Sequence, residues 1–188
     1  MDLELSVALR VAHAFEALGL RYLIGGSLAS SLHGIPRSSH DADLLAEMPG
    51  RLADQLAEQL SSEFYVDADM IRDAVARGGS FNVIHDESGF KVDVFVLTRD
   101  RLAQTEMDRR ELHVIAEGTT AYFATPEDTV LQKLDWYRKG NEISERQWND
   151  VLGVLKVQRG RLDDAYLDRW APVLGVADLL VRARMQSK

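Results

Sequence analysis

A chain of 188 residues removes roughly 70 per cent of its extended surface from water on folding, so its core needs no covalent staples. There is no cysteine, which excludes disulfides, thiolate zinc sites and thiol catalysis. The formal net charge of −8 is unevenly spread: residues 1–124 hold 20 Asp and Glu against 11 Lys and Arg, and residues 125–188 hold 10 against 11. An acidic front half argues against a general nucleic-acid binder, which needs a basic footprint. It suits carboxylates that expect a divalent cation, and equally a surface that simply keeps the protein soluble. No run approaches the roughly 20 apolar residues needed to cross a bilayer. The start MDLELSVALRVAHAF lacks a basic region followed by an apolar run. The expectation is a cytoplasmic protein with no membrane partner.

In chain order, Val7, Val11, Phe15 and Leu18 mark an amphipathic helix up to Gly19. Arg21 to Ile24 reads as a short strand running into Gly25-Gly26, followed by a helix from Ser27 to about His33 that stops at Gly34. Asp41 to Ala46 is a candidate strand, and Leu52, Leu56 and Leu60 mark a further helix, as do residues 70–77. Phe81 to Ile84 and Phe90 to Leu97 read as paired strands around Asp86-Glu87-Ser88-Gly89. A polar helix near 99–109 precedes a hairpin, 112–115 with 121–123, across Gly118. From Thr125 the pattern is helical. Thr125-Pro126-Glu127-Asp128 and Ser144-Glu145-Arg146-Gln147 are helix starts, and 163–174 and 176–184 complete four helices. The expected organisation is a mixed α/β part over 1–124 with a helical subdomain, 125–188, packed on it.

Three segments carry residues suited to chemistry. In Leu23-Ile24-Gly25-Gly26-Ser27-Leu28 a strand passes through two glycines into a helix. Backbone amides there can approach an anion, and the helix N-terminus offers unpaired N–H groups to a phosphate. Taken alone, the same residues read first as a tight turn with an N-cap. In His40-Asp41-Ala42-Asp43 the two acids share one strand face, ~6.6 Å apart along the chain. Like charges so placed are relieved by a cation with oxygen ligands, or by water on an exposed edge. In Lys91-Val92-Asp93-Val94-Phe95-Val96 the valines form one buried face and leave Asp93 on the other, flanked by Lys91 and Phe95. That carboxylate needs a partner, a cation or solvent.

The order of these three segments resembles the nucleotidyltransferase superfamily with its polymerase-β-like palm, including minimal nucleotidyltransferases and the AbiEii-type toxins. The tail resembles the AbiEii-type pattern of a helical Lys followed by an Arg-x-x-x-Asp element, in Leu131-Gln132-Lys133-Leu134-Asp135 and Arg146-Gln147-Trp148-Asn149-Asp150. The resemblance implies a palm with a mixed β-sheet flanked by helices, plus a C-terminal helical bundle. It implies an NTP-dependent, pyrophosphate-releasing enzyme that moves NMP to a hydroxyl acceptor. Asp41, Asp43 and Asp93 would be both catalytic residues and ligands of magnesium or manganese. Gly25, Gly26, Ser27, Lys133, Arg146 and Asp150 would bind the nucleotide. Arg146 and Asp150, i and i+4, read locally as a surface pair. Arg37 could reach phosphate, but reads first as solvent-exposed.

The implied physiological role is a toxin acting on tRNA, with a cognate antitoxin as partner. An aminoglycoside-type antibiotic nucleotidyltransferase and a catalytically silent binding module are the alternatives. The His40-Asp41 doublet also raises a metal-dependent phosphohydrolase, which the strand setting and Asp43 disfavour. His13, His33, His85 and His113 lack metal-ligand spacing, and the helical Trp and Tyr residues read as packing.

Overall fold

A computed structural model describes residues 3–187, which divide into two units: residues 3–25 with 38–123, and residues 26–37 with 124–187. The helix after Gly25-Gly26 therefore groups with the C-terminal helices, rather than with the first 124 residues where the sequence placed it.

The first unit is built on a mixed sheet, seven-stranded among the described residues. Its strands are β1 (Tyr22–Ile24), β2 (Asp41–Ala46), β3 (Phe64–Tyr65), β4 (Ser80–His85), β5 (Lys91–Val96), β6 (Glu111–Ala116) and β7 (Thr119–Phe123), in the spatial order β3-β4-β5-β2-β1-β7-β6. Neighbours are antiparallel except β2 with β5 and β1 with β7, which run parallel. The central strands alternate strictly. Ala42, Leu44 and Ala46 of β2 and Val92, Val94 and Val96 of β5 are buried, while Asp41, Asp43, Lys91 and Asp93 lie on the other, half-exposed face. Period-two alternation of this kind separates an apolar side from a polar one.

Helix α1 (Leu3–Ala17) buries Val7, Val11 and Phe15 completely, as its spacing predicts. After α2 (Gly26–His33), which lies in the second unit, α3 (Ala53–Leu60) is entered through a 3-10 turn over Gly50–Leu52. Helix α4 (Ala68–Arg77) starts where the Asp67 side chain accepts from the Met70 N–H and ends at Gly78, whose φ of 61° is the left-handed value that favours glycine. In α5 (Arg101–Arg109), Asp100 accepts from the N–H groups of Leu102 and Ala103, both at 3.0 Å. The two-residue strand β3 has no counterpart in the sequence reading, being too short to show any period.

The second unit consists of α2 (Gly26–His33), α6 (Pro126–Lys139), α7 (Glu145–Val157), α8 (Asp164–Val173) and α9 (Ala177–Gln186). Val130, Leu131, Leu134, Val151, Val154 and Leu167 are wholly buried and form its core. Thr125 caps α6 by accepting from the Asp128 N–H and donating its hydroxyl to Asp128 Oδ2 at 2.7 Å. The other oxygen of Asp128 accepts from the Tyr166 hydroxyl at 2.6 Å, and Glu127 Oε1 accepts from the Asp163 N–H at 2.8 Å. Two buried acids thus fasten α8 to the first turn of α6.

Where α2 ends, its backbone lies against α7. A Cβ on Gly34 would stand 2.8 Å from the Val154 nitrogen and 2.9 Å from the Gly153 carbonyl carbon, backbone atoms that cannot rotate away. Gly34→Ala is expected to lose about 1–3 kcal/mol in denaturant unfolding, the usual scale of overpacking. Gly79→Ala, where an added Cβ meets nothing within 4 Å, is expected to stay within about 0.5 kcal/mol of wild type.

Candidate functional site

On the first unit, strand pairing brings together carboxylates that are far apart in the chain. Parallel pairing of β2 with β5 sets Asp43 in register with Asp93, and Asp41 with Lys91. Adjacent strands lie about 4.8 Å apart, so register partners on one face are near neighbours. On the far side of Asp93, β4 contributes Asn82 in register. On the far side of Asp43, the Gly25 N–H donates to the Asp43 carbonyl at 2.8 Å. One level across the sheet therefore reads Asn82, Asp93, Asp43, Gly25.

The polar contacts on this face are specific. Lys91 Nζ is 2.7 Å from Asp93 Oδ2, with side-chain exposures of 39% and 18%. Asp41 Oδ1 accepts from the Ser39 hydroxyl at 3.2 Å. The hydrogen bond to Asp93 raises the Lys91 ammonium above its ordinary pKa. Burial opposes this less strongly, and the charges of Asp93, Asp41 and Asp43 add to the rise. All three acids thus act on this one lysine.

The three aspartates face away from the apolar side, as the alternation predicts. Among the described residues, however, no group of three or more His, Asp or Glu side chains stands ready to hold a metal ion. The sequence resemblance implies carboxylates that share cations directly. In the structure Lys91 takes one oxygen of Asp93, and Ser39 takes one of Asp41. Three carboxylates on one face are still the hard oxygen donors that magnesium takes, so the residue types fit the ion.

On the second unit, α2 opens at Gly26 with φ 54°. A left-handed residue here costs little for glycine and roughly 1–2 kcal/mol for others, which accounts for the glycine at this strand-to-helix corner. Ser27, the next residue, is buried and accepts from Arg37 Nη2 at 3.0 Å. Arg37 also grips Asp150 with two prongs, Nε to Oδ1 at 2.8 Å and Nη2 to Oδ2 at 2.7 Å. Lys133 Nζ lies 2.9 Å from the same Oδ2. Side-chain exposure is 5% for Lys133 and 4% for Asp150, against 25% for Arg37. Two cations therefore share one buried carboxylate beside the start of α2.

Ser27, Lys133 and Asp150, named from the sequence, are thus brought together. Arg146 is not: it is exposed in the first turn of α7 and takes no part in the network. Its place is filled by Arg37, which the sequence reading left in solvent. No local spacing could have revealed this, because Arg37 and Asp150 are 113 positions apart. His40 is exposed beside Asp41. His33 is buried and bonded through Nε2 to the Ala124 carbonyl at 2.7 Å, a structural tie.

Burial pushes the Asp150 carboxyl up, but the Arg37 hydrogen bonds and the Lys133 charge outweigh it and hold the pKa below its ordinary value. A carboxyl depressed on folding contributes stability above its unfolded pKa, and that contribution is lost as pH falls through the folded value. Asp150→Ala should therefore cost about 3–5 kcal/mol at pH 7, since it strands two cations in a largely buried site. The gap from wild type should narrow below pH 4 in urea titrations. Arg146→Ala should shift stability by less than about 0.5 kcal/mol.

No protein-family model matches the chain, and no curated protein matches it in sequence. Solved structures match it in shape. An antigenic nucleotidyltransferase-like protein from Paracoccidioides brasiliensis aligns with a TM-score of 0.57 at 16% identity, over 97% of this chain and 92% of its own. The antibiotic-resistance factor ANT(2'')-Ia aligns with a TM-score of 0.55 at 14% identity, over 99% and 97%. The lincosamide antibiotic adenylyltransferase LnuA, in a lincomycin-bound structure, gives 0.51 at 12% identity, over 84% and 98%. Together with the mixed seven-stranded sheet and its helices, these likenesses show that the chain has the nucleotidyltransferase fold.

Proposed function

We propose that the protein is a magnesium-dependent nucleotidyltransferase that moves NMP from an NTP to a hydroxyl acceptor. The observation that carries this reading is the register of β2 with β5, which sets Asp43 beside Asp93 with Asp41 on the same face. Asp41, Asp43 and Asp93 would hold the ion, which when bound offsets the charge of the triphosphate and of the departing pyrophosphate. Asp93 would accept the acceptor's hydroxyl proton on a carboxylate oxygen. The freed oxygen then forms the bond to the α-phosphorus as the bond to the bridging oxygen of pyrophosphate breaks. Gly25, Gly26 and Ser27 would receive the phosphates at the α2 N-terminus. The positive charges of Arg37 and Lys133 beside Ser27 would favour the same anion.

For the acceptor, the AbiEii-type pattern of Lys133 followed by Arg146 and Asp150 supports a toxin that modifies tRNA and is held in check by an antitoxin. A second reading, an antibiotic-modifying transferase, is favoured by two observations. The likeness to ANT(2'')-Ia runs over nearly the whole of both chains. The acidic first 124 residues also suit a polycationic small molecule better than a polyanionic RNA.

Incubation with each α-labelled NTP, magnesium and either total tRNA or an aminoglycoside panel tests both readings. Label is expected on one acceptor class. Asp41→Asn and Asp93→Asn should each reduce transfer by at least about 100-fold, the scale of losing one preorganised contact to developing charge. Full transfer by either folded variant would remove the assignment of the aspartates.

A further inference from the structure

Lys91 has no part in the mechanism above, yet it stands in the middle of it. It precedes Asp93 by two residues on the same strand face, pairs in register with Asp41, and places its ammonium 2.7 Å from Asp93 Oδ2. It brings one positive charge to a face that carries three aspartates. With the side chain 39% exposed, the flexible four-carbon stem has room to swing its head group into water. Building on the magnesium reading, we propose that Lys91 is a tethered stand-in for the metal: it offsets part of the negative charge of the carboxylate face and is displaced from Asp93 when a divalent cation binds.

The electrostatics require an exchange. An ammonium hydrogen-bonded to Asp93 occupies an oxygen the cation would take, and two positive groups on the same carboxylate repel each other. As long as Lys91 holds Asp93 Oδ2, a cation at Asp93 has to compete for that oxygen. The lysine thus does two things at once. It relieves like-charge repulsion among Asp41, Asp43 and Asp93 in the metal-free protein, and it makes every metal-binding event compete with an internal cation. Metal affinity is lowered in return for a stable empty state.

The test is Mn2+ binding to the full chain, read as free Mn2+ by electron paramagnetic resonance without nucleotide, for wild type, Lys91→Met, Lys91→Gln, Asp41→Asn and Asp93→Asn. Removing the internal competitor should tighten Mn2+ binding by about tenfold or more in Lys91→Met. Lys91→Gln, which keeps a polar head and guards against a folding defect in the methionine variant, should change in the same direction. The two aspartate variants should bind more weakly than wild type. If Asp41→Asn and Asp93→Asn weaken binding but neither Lys91 variant tightens it, the exchange is overturned while the magnesium site stands. If the aspartate variants bind as wild type does, or no protein binds Mn2+, the metal reading itself is overturned and the exchange with it.

Discussion

Asp43 and Asp93 lie in register on parallel neighbours, with Asp41 one step along the same face. Three negative charges on one face favour a positive partner, and Lys91 supplies one, its ammonium 2.7 Å from Asp93 Oδ2. The opposite side of the same strands is wholly apolar, with Val92, Val94, Ala42 and Leu44 fully buried, so the acids cannot turn inward without losing hydration. Strand alternation thus holds the carboxylates toward solvent, and pairing holds them together. A face built in this way carries a concentration of negative charge that a cation would relieve.

The second unit handles charge differently. Asp150 is nearly inaccessible and is satisfied by Arg37 and Lys133 from two other segments. A buried carboxylate gripped in this way holds α6, α7 and the segment after α2 in register, because moving any one of them strands a charge. The Arg37 bond to Ser27 extends this order to the first turn of α2, where the Gly26 corner begins. Caps at Thr125, Ser144 and Asp163, together with the Gly34 approach to α7, complete a unit whose precision lies around that turn.

Much of this was legible in the sequence, for stated physical reasons. Period-two alternation in Asp41–Ala46 and Lys91–Val96 placed the aspartates opposite the valines, and capping boxes placed the starts of α6 and α7. Long-range partners were not legible. The parallel pairing of β2 with β5 joins residues 50 positions apart, and nothing local encodes which strands become neighbours. The pairing of Arg146 with Asp150 suggested by i, i+4 spacing lost to Arg37 because Asp150 is buried in the unit while Arg146 is exposed on it. The short α2 helix shows helical spacing, but nothing within it indicates that it groups with residues 124–188.

On the proposed reading, the Asp41, Asp43 and Asp93 face takes a divalent cation. Anomalous diffraction at the manganese edge, from crystals grown with Mn2+ and a non-hydrolysable NTP, tests it most directly. An anomalous peak is expected within coordination distance of Asp43 and Asp93, with Lys91 withdrawn from Asp93. A nucleotide-bound structure in which the Lys91–Asp93 pair is intact and manganese is absent from that face would contradict it.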